Sequence, residues 1–305
     1  MADIRFDNRV AIVTGAGGGL GRSHAMLLAS RGAKVVVNDL GGSRDGSGAD
    51  AGPAHEVVEE IRAFGGEAVA NGADVSDWGQ SKAMIEQAIE TFGGLDVVVN
   101  NAGILRDRML TNMTEEEWDI VIKVHLKGTF APAHHAAAYW RDRSKAGLTN
   151  DARIINTSSV SGIYGNVGQT NYGAAKQGIA GFTFIAALEL QRYGVTVNAI
   201  APGALTRLTE DLGPERTEEE KAASSPRWIA PLCTWLASPQ SAGITGRVFE
   251  ASGRILAVAE GWHRGPTAKP VEDPEAVDEV MRELLSRTRP PAGMDGQDLP
   301  GWEGR

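Results

Sequence analysis

The sequence predicts an α/β fold built on a parallel sheet, and three observations carry that expectation. Short Val/Ile-rich runs alternate with amphipathic stretches of helical period. The runs are nearly continuous in apolar residues, as strands buried on both faces are. The first run passes directly into a glycine-rich turn and then a helical stretch.

Val10–Val13 reads as the first strand, with a helix after the turn to about Arg31. Lys34–Asn38 is the second strand, and a polar loop from Gly41 to Pro53 leads to the helix His55–Phe64. Glu67–Asn71 is the third strand. Ser81–Phe92 is helical, with Met84, Ile85, Ala88 and Ile89 at core-facing spacing. Leu95–Val99 is the fourth strand. Thr114 caps the next helix, with Glu117 three residues on as a capping box, and that helix runs toward Trp140. Arg153–Thr157, Val195–Ala199 and Arg247–Glu250 are the fifth, sixth and seventh strands, and Tyr172–Arg192 is a long helix between the first two of these. Beyond residue 260 six prolines puncture the chain and leave one helix, Glu275–Arg287. The expectation is one domain over 1–260 and a C-terminal extension over 261–305.

Composition narrows the function. Of 305 residues 38 are glycine, about 12% against a usual ~7%, yet they fall between apolar runs rather than in a low-complexity tract. A net charge of −9 with no basic stripe argues against nucleic acid and anionic membranes. No run approaches the ~20 apolar residues of a membrane span. The charged N-terminus and the last residues carry no secretory or peroxisomal address, so a cytoplasmic protein is expected. Cys233 is the only cysteine, which excludes an intrachain disulfide and a Cys-rich zinc site. Beside Leu232 and Trp235 it reads as core. His134-His135 reads as a surface pair, and no metal site is expected.

The turn Thr14-Gly15-Ala16-Gly17-Gly18-Gly19-Leu20-Gly21 lies between a strand and a helix. Glycines let a pyrophosphate approach the backbone, and the helix offers free N–H groups and a positive dipole end. A tight turn requiring positive φ is the other reading. Asp39 closes the second strand, eighteen residues past Gly21. A carboxylate there accepts from both ribose hydroxyls of NAD and repels a 2′-phosphate, unless it serves only as a strand-end cap. Leu40 follows where NADP users often place a base. Asp74-Val75 offers a partner for the adenine amino group. Asn100-Asn101-Ala102-Gly103 ends the fourth strand and is also ordinary turn composition.

Tyr172 and Lys176 sit four apart at a helix start and share a face. A phenol, with a pKa of about 10, is a poor base at neutral pH, and a nearby ammonium lowers it. The lysine can also hold a ribose. Ser159, thirteen residues before Tyr172 and just past the fifth strand, can steady a carbonyl oxygen while the tyrosine passes the proton. Taken alone, a Tyr/Lys pair at this spacing is usually a solvated helix face.

Thr14-Gly15-x-x-x-Gly19-x-Gly21, Asn100-Asn101-Ala102-Gly103, Ser159, Tyr172-x-x-x-Lys176 and Pro202-Gly203 together resemble the short-chain dehydrogenase/reductase family over about residues 5–255. The resemblance implies a Rossmann-type, doubly wound, seven-stranded parallel sheet, a nicotinamide cofactor and exchange between an alcohol and a ketone. It implies catalytic roles for Ser159, Tyr172 and Lys176. It has Gly15, Gly19, Gly21 and Asn101 shape the cofactor site, and Leu20, Asp39, Asp74, Val75, Ala102, Gly103, Tyr172, Lys176, Pro202, Gly203, Leu205 and Thr206 are the further candidates for cofactor contact.

A narrower likeness rests on Asn38-Asp39-Leu40-Gly41-Gly42, Ile104-Leu105-Arg106-Asp107-Arg108, Val124-His125-Leu126-Lys127-Gly128 and Ser161-Gly162-Ile163-Tyr164-Gly165-Asn166. These resemble the (3R)-hydroxyacyl-CoA dehydrogenase unit of type 2 multifunctional enzymes of peroxisomal β-oxidation, also described as 17β-hydroxysteroid dehydrogenases, in a bacterial stand-alone form. That branch implies NAD and the oxidation of a (3R)-3-hydroxyacyl-CoA, with steroid side-chain breakdown as one setting. The alternatives are a dehydrogenase of free 17β-hydroxysteroids and, from another class, a nucleotide-binding protein without turnover.

Two departures stand out. His125 occupies the place of the wider family's catalytic Asn, where it either joins a proton relay through a ring nitrogen or packs beside Lys176. Ala204-Leu205-Thr206-Arg207 replaces a more usual pattern, with Thr206 offered for a carboxamide contact. Arg106, Arg108 and Lys127 are candidates for CoA phosphates or solvated surface. Thr217 to Lys221 falls where the family keeps its substrate lid, so a flexible loop is expected. The faces Ile179/Phe182/Ile185 and Val121/Val124 resemble those packed between subunits, implying a homodimer or homotetramer.

Overall fold

The computed structural model describes residues 3–42, 48, 52–204 and 217–301. β1 (Val10–Thr14) is buried along its whole length, and its side chains alternate between two layers. Ala11 and Val13 enter one core, with Leu28, Val57 and Ile61. Val10 and Ile12 enter the other, with Met84, Ile85 and Trp140. This two-sided burial is why the strand reads as a continuous apolar run. Each Val, Ile, Leu or Met side chain so removed from water contributes about 1.5–3 kcal/mol.

The chain continues through α1 (Gly19–Ser30), β2 (Lys34–Asn38), α2 (Gly52–Ala63), β3 (Glu67–Asn71), α3 (Trp78–Phe92) and β4 (Val97–Asn100). Then come α4 (Glu115–Ile122), α5 (Gly128–Lys145), β5 (Ala152–Thr157), α6 (Val160–Ile163), α7 (Thr170–Leu190) and β6 (Val195–Pro202). The remainder is α8 (Glu218–Ala223), α9 (Ala230–Ala237), β7 (Val248–Ala251), β8 (Leu256–Ala259) and α10 (Pro274–Ser286). Among the described residues the strand order is β3-β2-β1-β4-β5-β6-β7-β8. Every pairing from β3 to β7 is parallel. Side chains of α1, α2 and α9 cover one face, and those of α3, α5 and α7 the other. The strand order turns back between β1 and β4, where a crevice opens at the carboxyl ends.

The seven parallel strands are those the sequence predicts. An eighth, β8, pairs antiparallel with β7 through a tight hairpin and was not anticipated. It is short, and Leu256 and Val258 face outward and exposed, so no two-sided apolar run marks it. The helix expected from Thr114 to Trp140 forms without a break, but with one irregular turn inside it. Its capping box forms as predicted, with Thr114 Oγ1 accepting from the Glu117 N–H. A π-helical turn over Lys123–Lys127 then joins α4 to α5 and turns His125 into the interior. Pro132, which has no N–H to give, lies in the first turns of α5.

Thr217 to Lys221, expected as a flexible loop, instead opens α8. Thr217 accepts from the Glu220 N–H at 3.2 Å, and the Glu220 carboxylate accepts from the Thr217 N–H at 2.9 Å. This reciprocal capping box fixes a helix start in a stretch that reads only as charge. Val121 and Ile179, expected between subunits, are fully buried within the chain, whereas Ile185 on the same helix as Ile179 is exposed. Cys233 is buried in the core, and burial pushes its thiol well up, away from the reactive thiolate. No helix among the described residues is long and apolar enough to cross a membrane.

Candidate active site

A cleft of about 760 Å³ opens along the carboxyl ends of the strands. Its floor at one end is the turn between β1 and α1. Gly15 has φ +61°, and a Cβ there would lie 2.7 Å from the Ala102 Cα, so a side chain is excluded on both counts. Gly15, Gly18, Gly19 and Leu20 line the cleft. A Cβ on Gly18 would meet nothing within 4 Å, which leaves this backbone open to an approaching group. Gly18 is also the N-cap of α1 and gives no side-chain cap, so the helix presents its first N–H groups uncapped. An open glycine backbone at an uncapped helix start fits a pyrophosphate.

The turn is held by the segment after β4. Asn101 Nδ2 donates to the carbonyls of Thr14 at 3.0 Å and Gly15 at 3.1 Å. Thr14 Oγ1 accepts from the N–H groups of Asn101 and Ala102. Gly21, predicted at the cofactor, does not line the cleft. A Cβ there would overlap the Gly15 carbonyl and stand 2.7 Å from Asn101 Nδ2, so this glycine lets the turn close on itself. Sequence reading counted Gly18 only as part of the turn; its place at the helix N-cap is what exposes it.

Asp39 sits at the end of β2 and is nearly buried. Its carboxylate accepts from the Gly17 N–H at 2.8 Å and the Gly41 N–H at 2.7 Å, which aims it along the cleft wall. Asp74 and Val75 also line the cleft, but Asp74 Oδ1 is engaged by the Ser76 N–H and hydroxyl. Ala102, Gly103, Pro202 and Gly203 lie on the same wall. Leu205 and Thr206 lie outside the described residues.

Four predicted side chains converge at the other end. Ser159, beyond β5, is the N-cap of α6, and its Oγ accepts from the Ser161 N–H. The same hydroxyl hydrogen-bonds Tyr172. Tyr172 and Lys176 lie on α7, which the sheet grips through buried amides. Asn100 donates to Asn156, and Asn156 to Thr183 on α7, each at 2.9 Å. Ser158 Oγ donates to the Lys176 carbonyl, and Asn171 Nδ2 ties the helix start to the Arg106 and Glu117 carbonyls.

Lys176 Nζ donates to the Thr157 carbonyl at 2.7 Å and lies 5.5 Å from the centre of the Tyr172 ring. Burial lowers the lysine to about 7. It also pushes the Tyr172 phenol up to about 12, against the lowering hydrogen bond from Ser159 and with a smaller push from Asp107. The expected depression of the phenol by a lysine charge is therefore absent here. The lysine points its proton at a carbonyl, and its own burial weakens its charge.

His125 is fully buried below the segment after β4. Its Nε2 lies 2.7 Å from the Ile104 carbonyl and 3.1 Å from the Ile104 N–H. The closer carbonyl assigns Nε2–H as a donor, which leaves Nδ1 an acceptor. That atom has no hydrogen-bond partner among the described residues. Burial, then the Lys176 charge, lower the imidazole to about 3, so it is neutral at ordinary pH. Its ring meets the Tyr172 ring edge-on at 5.1 Å.

Arg106, Arg108 and Lys127 do not line the cleft, and Arg108 pairs with Glu117 at 2.8 Å. Lys123 and Arg254 line it instead, brought there by the π turn and the β7–β8 hairpin, which periodicity does not reveal. Asn166, Gln169 and Met294 are further lining residues that sequence reading missed. His134 and His135 stack on Trp78 at 4.7 and 4.3 Å, away from the cleft.

Comparison with known proteins agrees with this geometry. The chain is 46% identical over 259 residues to the peroxisomal multifunctional enzyme type 2 of Mus musculus, covering 85% of this chain and 32% of that protein. It thus spans about a third of the length of that relative. It is 41% identical over 306 residues to the hydroxyacyl-CoA dehydrogenase ChsB1 of Mycobacterium tuberculosis, covering 96% of this chain and 94% of that one. The crystal structure of a short chain dehydrogenase from Mycobacterium avium superposes with a TM-score of 0.85 at 53% identity, covering 94% of this chain and 98% of that chain. A short chain dehydrogenase family model matches residues 9–219, a span that holds the phosphate turn and all four converging side chains. On that match and these likenesses, the chain belongs to the short-chain dehydrogenase family.

Proposed function

We propose that the chain is an NAD-dependent dehydrogenase that oxidises a (3R)-3-hydroxyacyl-CoA to the 3-ketoacyl-CoA. Family membership makes it an oxidoreductase using a nicotinamide dinucleotide. The observation that carries the finer reading is the end-to-end likeness to a hydroxyacyl-CoA dehydrogenase of nearly the same length. Asp39 supports NAD, because a carboxylate aimed along the cleft wall repels a 2′-phosphate and no Lys or Arg lies in the glycine turn.

When bound, the oxidised nicotinamide supplies a positively charged hydride acceptor. The chain's own residues handle the proton. Ser159 holds the substrate oxygen beside Tyr172, and the phenolic oxygen takes the hydroxyl proton as it releases its own toward Lys176. Lys176, near neutral balance, passes a proton onward and can hold the ribose. His125 offers its Nδ1 as a neutral acceptor beside Lys176, and we assign it a place in that relay. Lys123 and Arg254 offer positive charge to an anionic thioester. The exposed α7 face of Phe184, Ile185 and Leu188 supports a homodimer or homotetramer, which light scattering would size.

The deciding experiment measures NADH formation with straight-chain and sterol-side-chain (3R)-3-hydroxyacyl-CoA thioesters, beside a free 17β-hydroxysteroid. Turnover of the thioesters is expected. Turnover of the free steroid alone, or binding of NAD without any turnover, would overturn the reading.

A further inference from the structure

Tyr164 is a junction of three chain segments. It is the C-cap of α6, in the stretch between Ser159 and Tyr172. Its hydroxyl donates to the Glu250 carboxylate on β7, which anchors it to the sheet. Against the same hydroxyl lies the backbone of the C-terminal tail, where a Cβ on Gly296 would stand 3.5 Å away.

The tail here is a closed turn. Ala292 and Asp298 form an antiparallel bridge. The N–H groups of Gly293, Gly296 and Leu299 donate to the carbonyls of Gln297, Gly293 and Pro291, each at 2.8 Å. Arg289 pairs with Asp298 at 2.9 Å across its base. So built, the turn holds one side chain, Met294, on the lining of the cleft with Asn166 and Gln169. Met294 keeps 41% of its surface exposed, so it serves no core of the tail.

We infer that the turn from Pro291 to Leu299 is a wall of the chain's own substrate pocket, docked through Tyr164, with Met294 as a specificity-determining residue for the acyl group. The inference rests on the thioester reading above. The stretch from Ser159 to Tyr172 borders the reacting oxygen, so a segment docked on it faces the alcohol's substituents rather than the adenine end at Asp39. An unbranched, polarizable thioether adapts to irregular hydrocarbon surfaces, as an acyl chain or a ring system requires. Tyr164 acts through the turn and is a positioning residue.

The test uses the full chain and short, medium and long 3-hydroxyacyl-CoA thioesters. Met294→Ala and Met294→Trp should move the long-to-short ratio of kcat/KM in opposite directions, by about tenfold for the first. The KM for the dinucleotide should hold. Tyr164→Ala should reproduce the shift of Met294→Ala and speed amide hydrogen exchange at Gly293, Gly296 and Leu299. Tyr164→Phe, which keeps the ring near Gly296 but loses the anchor to Glu250, should fall between the parent and Tyr164→Ala in both. A ratio unmoved in both Met294 variants, or exchange unmoved in Tyr164→Ala, overturns the inference. If the unaltered chain turns over no thioester, the functional reading fails by itself. Amide exchange, and selectivity on whichever alcohol is oxidised, still decide the wall.

Discussion

Gly103 and His125 interlock: a Cβ on Gly103 would overlap the imidazole Cε1 and stand 3.0 Å from Nδ1. The imidazole fills the space that the missing side chain leaves, and the backbone of Ile104 holds it there. Gly103→Ala should therefore cost about 1–3 kcal/mol, as overpacking in a filled interior does. Urea unfolding would measure it, and the smaller His125→Asn should recover most of the loss in the double variant. A single variant as stable as the parent would show that the two positions do not interlock.

His125 carries a second prediction. Held near pKa 3, the imidazole stays neutral across the working range, so it contributes no limb to the pH–rate profile. In the proposed relay it serves as an uncharged acceptor. His125→Ala should lower kcat by about tenfold to a hundredfold while the profile keeps its shape. His125→Asn, which supplies another neutral acceptor, should fall less. Equal losses in both variants would favour a packing role alone.

Tyr172→Phe should fold and bind the dinucleotide, measured by nucleotide fluorescence, yet lose about a hundredfold to ten-thousandfold in turnover. The ring keeps its contact with His125, and only the hydroxyl next to Ser159 is gone. Near-parental turnover would remove the phenol from the chemistry.

Burial lowers Lys176 to about 7 in the folded chain, against about 10.4 for the free side chain. Between those values the unfolded chain binds more protons, so this residue makes stability rise with pH from about 7 to about 10. Below pH 7 its penalty is present in full. In Lys176→Met that rise should vanish, and the variant's stability relative to the parent should be greatest near pH 6 and decline toward pH 9. Urea melts at several pH values would show it. Parallel curves for the two proteins would count against the shift.

Asp39→Ala should reduce the preference for NAD over NADP about tenfold or more, read as the ratio of their kcat/KM values. The carboxylate also organises the Gly17 and Gly41 amides, so a modest fall in Tm should accompany it. An unchanged ratio would remove Asp39 from nucleotide selection.

Strands β1 and β2 were legible almost to the residue, because both faces of each are packed and the apolar run has nowhere to hide. That Tyr172 and Lys176 share one face of α7 was legible from their spacing of four, and the role proposed for them came from the wider motif set. Gly21 was harder. Glycine in a phosphate turn reads as room for a ligand, and only the positions of Gly15 and Asn101 reveal that this one makes room for protein. The capping box of α8 stood in plain sight as Thr217 and Glu220, hidden by the charge around it. β8 left little trace because half of its short length faces outward.

By itself the sequence determined the layered α/β order, the glycine turn and the Ser159, Tyr172 and Lys176 set. These follow from local periodicity and from residue types that few other arrangements use. Tertiary structure alone decided that a π turn buries His125 against Gly103, that burial holds the Tyr172 phenol protonated, and that Met294 reaches the cleft. Such facts depend on which distant segments meet and how much water they exclude. Periodicity reports that a side chain is buried, but long-range packing settles what it is buried against.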